Sequence, residues 1–403
     1  MELLRIVTAG SVDDGKSTLI GRLLYQTKSL KSDQLDHIVS KSKAKGYDYT
    51  DFSLATDGLL TEREQGITID VSNIFFQTEK RRFIIADAPG HVEYTRNMVT
   101  GASNADTAII LIDARKGVLE QTRRHYNITQ LLGISTLMFV VNKMDLIGYD
   151  EKKFEQIQKD ILALTAGKNN TLHLLPVSAL KGDNITSPSE NMPWYKGAVL
   201  LDLIETINVE NNKNKENIFQ VQWVIRPQLE SHHDFRGFAG KVNSGEFRVG
   251  DEITVFPSGR TSKIKQIDRY GKAEQVLREE ENGTLILADE IDLSRGSSIL
   301  GKQTLSEINP SKEIKATLCW MQNQPLNYQQ KYLLQQGVQL VQTKAIADIN
   351  STTEFELNTI GDLTLKLSQE ILNTSYQKNN KIGRFILIDP LTNNTAAAGF
   401  IHE

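Results

Sequence analysis

Between residues 10 and 17 the chain reads GSVDDGKS, which fits G-x-x-x-x-G-K-[ST]. The run LLRIVTA (3–9) enters this loop as a predicted strand, and KSTLIGRLL (16–24) leaves it as a predicted helix with Leu19, Ile20, Leu23 and Leu24 on one face. Few sequence features constrain a fold more. Glycines permit torsions that turn successive N–H groups inward as an anion nest. The helix N-terminus adds its positive dipole end. Gly10, Ser11, Val12, Asp13, Asp14, Gly15, Lys16, Ser17 and Thr18 are therefore candidate phosphate-binding residues, with Lys16 the cation for the β- and γ-phosphates and catalytic in that sense. Ser17 is a candidate Mg²⁺ ligand through its hydroxyl.

The region around the loop has the pattern such a loop requires. RFIIADAP (82–89), TAIILIDA (107–114), TLMFVVNK (136–143) and HLLPVS (173–178) are short, nearly continuous apolar runs, as expected of parallel strands covered on both faces. In FEQIQKDILALT (154–165), Phe154, Ile157, Ile161 and Leu164 recur at helical spacing. Strand and helix in alternation predict a mostly parallel, doubly wound α/β domain over residues 1–210. In NVENNKNKEN (208–217) every residue except Val209 is Asn, Glu or Lys, which predicts a solvated linker. Short alternating strands with turn signals follow, and predict two antiparallel β-barrels, over 218–305 and 312–403, with Pro310 near the second boundary.

A phosphate loop does not distinguish ATP from GTP. NKMD, comprising Asn142, Lys143, Met144 and Asp145, ends a predicted strand at the edge where α/β sheets bind ligands. The Asp145 carboxylate can accept from guanine N1–H and the N2 amine, neither of which adenine offers in that position. Asn142 is expected to bridge loop and purine, and the Lys143 stem to lie over the base. Ser178, Ala179 and Leu180 follow the next strand and are expected to close the base pocket with backbone N–H groups. In Asp87, Ala88, Pro89, Gly90 and His91, Asp87 would hold Mg²⁺ through water, Gly90 would meet the γ-phosphate, and His91 stands where a water-orienting catalytic residue belongs. In EREQGITID (62–70), Thr68 is the candidate switch threonine and third metal ligand. The cofactors expected are GTP and Mg²⁺. His125, His232 and His233 lack such a context and are expected on the surface or in packing.

Composition narrows the function classes further. At ~150 residues per domain, 403 residues make two to three domains. The net charge of −4 gives no general support for nucleic-acid or anionic-membrane binding. A single cysteine, Cys319, excludes an intramolecular disulfide and a cysteine metal cluster, and its apolar setting, ATLCWM, predicts a buried thiol. No stretch reaches the ~18 apolar residues of a membrane span. Glu2 stands where a signal peptide would be basic, so a cytoplasmic location is expected.

The order of loop, switch threonine, DAPGH, NKMD and SAL resembles the translation-factor class of GTPases, which carries two β-barrels after the GTPase domain. Within that class the chain is similar, nearly along its full length, to the large regulatory GTPase subunits of bacterial sulfate adenylyltransferase (ATP sulfurylase). Elongation factors usually read GHVDHGK and ERERGITI. Here Ser11 and Asp14 alter the first motif and Gln65 the second. YTRNMVTGAS (94–103), IDARKGVLEQTRRH (112–125), MPWYKG (192–197) and DFRGFAG (234–240) also resemble the sulfurylase subunits. Ala88 and Val92 stand where Thr and Glu are commoner. Gln65, Asp14 and MPWYKG speak against an RNA-handling elongation factor, and NKMD with the barrels against a P-loop kinase. The resemblance implies a heteromer in which a small catalytic subunit forms adenylyl sulfate and pyrophosphate from ATP and sulfate while this chain hydrolyses GTP. It implies no nucleic-acid or membrane partner. No second G-x-x-x-x-G-K follows residue 17, so the adenylyl-sulfate kinase fused to some relatives is not expected here.

Overall fold

The computed structural model describes residues 2–44, 46–55, 72–88, 95–208, 216–227, 235–346 and 354–402. The chain divides into two compact units, residues 1–210 and 211–403.

The first unit is built on a six-stranded sheet of β1 (Leu3–Ala9), β2 (Ser72–Gln77), β3 (Arg82–Asp87), β4 (Thr107–Asp113), β5 (Thr136–Asn142) and β6 (Thr171–Pro176), in the order β2-β3-β1-β4-β5-β6. All neighbours run parallel except β2 on β3. The central strands β4 and β5 are buried at every position, which explains their unbroken apolar sequence. Strand β2 carries no apolar-run signal in the sequence. It lies at the sheet edge and alternates burial, with Phe75 exposed, so it lacks the continuous apolar run used to recognise the others. Helices α1 (Lys16–Gln26), α2 (Ser32–Ala44), α3 (Thr95–Ala102), α4 (Glu120–Leu131), α5 (Glu151–Thr165) and α6 (Leu200–Thr206) accompany the sheet.

Helix α1 buries Leu19, Ile20, Leu23 and Leu24, the predicted stripe, into the core formed by Leu4, Ile6, Phe83, Leu111 and Val140. Helix α5 starts at an Asp150 cap that accepts from Lys152 N at 2.9 Å, and it buries Phe154, Ile157 and Ile161. Leu164 is only half-buried, because Thr165 takes the inward position at the last turn.

The second unit holds two barrels. The first comprises β7 (Ile218–Ile225), β8 (Gly237–Ser244), β9 (Glu246–Arg248), β10 (Glu252–Phe256), β11 (Thr261–Arg269), β12 (Lys272–Glu274), β13 (Val276–Arg278), β14 (Asn282–Leu287) and β15 (Ser298–Gly301). The order β10-β15-β7-β8-β14-β11 closes into a ring through the β10–β11 pairing, with β9 and β13 forming a separate ribbon. A short helix, α7 (Thr304–Glu307), leads to the second barrel. Its strands β16 (Ser311–Trp320), β17 (Tyr332–Gln336), β18 (Gln339–Ile346), β19 (Ile360–Ile371), β20 (Arg384–Ile388) and β21 (Thr395–Ile401) close in the order β16-β19-β18-β17-β20-β21. Both rings are antiparallel, and closure leaves no ring strand with a free edge. Cys319 is buried on β16, and burial pushes its thiol up to about 11, which makes it an unreactive packing group.

The linker expectation needs one correction. Glu216 is 3% exposed, its carbonyl accepts from Ser244 Oγ at 2.7 Å, and its carboxylate lies 3.5 Å from Lys378 Nζ. The end of this polar run is therefore built into the barrel unit, where the buried Ser244 hydroxyl takes up its carbonyl and Lys378 lies beside its carboxylate.

Gly21 in α1 marks a tight approach. A Cβ there would lie 1.9 Å from the Phe52 carbonyl oxygen. Gly21→Ala is expected to destabilise the first unit by about 1–3 kcal/mol despite the better helix propensity of alanine. Thermal unfolding of the full chain would check this, and an unchanged or raised midpoint would contradict the close packing.

Candidate functional site

The C-terminal ends of β1, β3, β5 and β6 lead into the described residues that the sequence singles out, and loops from one edge of the sheet bring them together. The phosphate loop leaves β1 and enters α1 at Gly15, whose φ of 90° is left-handed. A Cβ at Gly15 would stand 2.5 Å from Asn142 Nδ2, so only glycine fits. Helix α1 opens with no side-chain cap, and among the described residues the N–H groups of Lys16, Ser17 and Thr18 make no hydrogen bond. They are the unpaired first-turn donors that an anion can take up.

Lys16 is buried. Its Nζ donates to Gly10 O at 2.9 Å and Ser11 O at 3.2 Å, which leaves the third ammonium hydrogen for a phosphate oxygen. Burial lowers its pKa, against the opposing pull of Asp87 and Asp14. Asp14 is 2% exposed. Its Oδ2 accepts from Ser11 N at 2.6 Å, while its Oδ1 and Ser11 Oγ are buried with no partner among the described residues. Burial pushes the Asp14 carboxyl up to about 6, against the Ser11 N–H, Lys16 and Lys116.

Asp87 ends β3, buried, and accepts from Thr8 Oγ at 2.9 Å; Ala88 follows it, also buried. Thr68, Pro89, Gly90 and His91 lie outside the described residues, as do His232 and His233.

The candidate base-reading residues are linked to the 10–18 loop. Asn142 Nδ2 donates to Asp14 O at 2.8 Å, and Asn142 Oδ1 accepts from Ala179 N at 2.9 Å. Lys143 adopts a left-handed φ of 64° and donates through Nζ to Asp13 O. Met144 is buried beneath the turn. Asp145 Oδ1 accepts from the buried Ser178 Oγ at 2.7 Å, and Asp145 Oδ2 makes no hydrogen bond among the described residues. Leu180 follows Ala179 half-buried.

Asp113 lies outside the candidate nucleotide-binding motifs the sequence offers. It ends β4 directly opposite Asn142, and it receives Arg115 through Nε at 3.0 Å and NH2 at 2.6 Å, and Lys143 Nζ at 3.1 Å. Burial raises its pKa, but the bonds from Arg115 and Lys143 outweigh burial and hold it well below the usual carboxylate range. Its position at a strand end on the ligand edge was the available signal. Arg22 and Phe52, which brace the 178–180 loop, carried no motif signal. His125 proves to be a packing residue: it is buried on α4, contacts Gln121 Nε2 through Nε2 at 3.0 Å, and burial drives its pKa down to about 3.

A parallel sheet with this loop, this asparagine bridge and two following barrels defines a GTPase of the elongation-factor type. The family model described as "Elongation factor Tu GTP binding domain" matches residues 1–214, and "GTP-eEF1A C-terminal domain-like" matches 313–402. The chain is 46% identical to "Sulfate adenylyltransferase subunit 1" of Saccharophagus degradans, over 99% of this chain and 87% of the relative. It is 48% identical to the protein of that name in Francisella tularensis, with the same coverage. It is 45% identical to the "Bifunctional enzyme CysN/CysC" of Mycobacterium tuberculosis, over 99% of this chain and 67% of that relative. The chain belongs to the sulfate adenylyltransferase subunit 1 family.

Asp14→Asn tests the buried carboxyl. A raised native pKa means that the folded protein binds more protons than the unfolded chain between about pH 4 and pH 6, so stability falls as pH rises through that window. The nucleotide-free variant is expected to be more stable than the parent above pH 6, with the gain shrinking toward pH 4. A less stable variant at pH 7 would show that the Ser11 bond outweighs the desolvation.

Proposed function

We propose that the chain is the GTP-hydrolysing subunit of sulfate adenylyltransferase. On this reading, GTP hydrolysis here drives formation of adenylyl sulfate and pyrophosphate from ATP and sulfate on a smaller catalytic subunit in a cytoplasmic heteromer, without nucleic acid or membrane. The observation that carries it is the Asn142 bridge, which joins an anion-binding loop to a turn whose carboxylate, Asp145, matches the guanine edge. Among the described residues no helix is long and apolar enough to cross a membrane.

The roles follow from the chemistry of each group. Lys16 and the first-turn N–H groups of α1 stabilise charge developing on the phosphates. Ser17 and Asp87 offer the hard oxygen ligands that Mg²⁺ prefers, and Thr8 fixes the Asp87 carboxylate, so the donor set fits the ion. Thr68 would complete that set. Bound Mg²⁺ would neutralise charge on the β- and γ-oxygens. His91 orients the attacking water. Asp145 reads N1–H and N2, with the Ser178 hydroxyl keeping its carboxylate in place.

His91→Ala is expected to retain GTP binding and to lose hydrolysis by ~10²–10³-fold, measured as phosphate release at saturating GTP. Unchanged turnover would remove His91 from the mechanism. Asp145→Asn is expected to lower the preference for GTP over ATP in competition binding, and an undiminished preference would contradict the base assignment. With the small subunit co-purified, sulfate-dependent pyrophosphate release from ATP is expected to require GTP. Release that is indifferent to GTP would overturn the coupling.

A further inference from the structure

The loop 178–180 is braced from behind by a residue outside every motif above. Arg22 lies on α1 and is half-buried. Its Nε donates to Ala179 O at 3.1 Å and its NH2 donates to Leu180 O. The guanidinium carbon stands 4.5 Å from the centre of the Phe52 ring. Phe52 is itself buried, lies 4.6 Å from the Tyr25 ring centre, and presses its backbone against the helix where Gly21 has no side chain. The planar cation is thus held between an aromatic floor and two carbonyls, and its fork geometry suits both.

Pinning a carbonyl fixes the direction of the next amide, because the C=O and N–H of a trans peptide point opposite ways. The Ala179 N–H is used by Asn142 Oδ1 and the Lys181 N–H by Ser178 Oγ at 3.2 Å. The Leu180 N–H makes no hydrogen bond among the described residues, and the Arg22 bond to Ala179 O turns it away from α1.

We propose that Arg22 is a positioning residue for guanine recognition, which presents the Leu180 N–H to the O6 carbonyl of the base whose N1 and N2 hydrogens Asp145 accepts. The proposal rests on the guanine reading above and adds the residue that sets one of its contacts. It assigns the two faces of base recognition to separate supports: Asp145 with Ser178 for N1 and N2, and Arg22 with Phe52 for O6.

The test measures dissociation constants of the full chain for GTP, 6-thio-GTP, in which sulfur replaces O6, and ITP, which lacks the 2-amino group. The parent, Arg22→Lys and Arg22→Ala are compared, with thermal unfolding to verify folding. Loss of one oriented hydrogen bond is expected to weaken GTP binding by about tenfold in Arg22→Ala and less in Arg22→Lys. The preference for GTP over 6-thio-GTP is expected to shrink in both variants, while the preference over ITP and kcat at saturating GTP stay unchanged. A purely structural role for Arg22 would move both preferences together, and that result overturns the proposal. An unchanged 6-thio-GTP preference in folded Arg22→Lys also overturns it, so the outcome does not depend on whether Arg22→Ala folds. A parent chain that binds no guanine nucleotide would instead remove the functional reading itself.

Discussion

The side-chain amide of Asn142 is the joint on which the nucleotide site depends. It donates to the phosphate loop and accepts from the 178–180 loop, so two segments far apart in sequence take positions set by one group. Being buried, each amide atom would carry a desolvation penalty if its partner moved away, which makes the bridge a two-sided constraint. Gly15 is part of the same constraint, since the Nδ2 atom occupies the space a side chain there would need. The phosphate loop and the base turn are in this sense one object.

Around that joint the domain tolerates charges that burial disfavours. The Lys16 pKa falls and the Asp14 carboxyl rises, both chiefly through desolvation. Asp113 behaves in the opposite way, because Arg115 and Lys143 close on it from both sides. The contrast separates two tasks. Asp113 is a saturated anchor that orients the base-turn lysine. Lys16 and Asp14 are incompletely satisfied, and perturbed groups of that kind are typical of sites where a charged ligand is handled.

The fold was legible where local pattern and tertiary environment agree. The unbroken apolar runs of β4 and β5 announced strands buried on both faces, and the α1 stripe announced its inward face. Strand β2 was not legible, since an edge strand with Phe75 exposed imitates a polar loop. The composition of 208–217 predicts a solvent-facing run, yet Glu216 is buried, because composition does not reveal that Ser244 and Lys378 lie close by in the fold. Within the candidate site, the motifs singled out the 10–18 loop, Asp87 and the 142–145 and 178–180 segments, which the structure brings to one edge of the sheet. They did not locate Asp113 or Arg22, whose roles arise from partners 30 and 157 residues away.

By itself the sequence determined the kind of chemistry. The spacing of Gly10, Gly15, Lys16 and Ser17 requires certain torsions and charges within a few bonds, and Asp145 carries its hydrogen-bond pattern wherever it is placed. These are properties of short segments, and they survive translation into any surrounding fold. What only the tertiary structure decided is which groups hold those segments in register: Asn142 across two loops, Asp113 behind Lys143, Arg22 beneath Ala179 and Leu180. Hydrogen bonds act over about 3 Å irrespective of chain separation, so such supports become visible only after the sheet and helices have brought distant residues together.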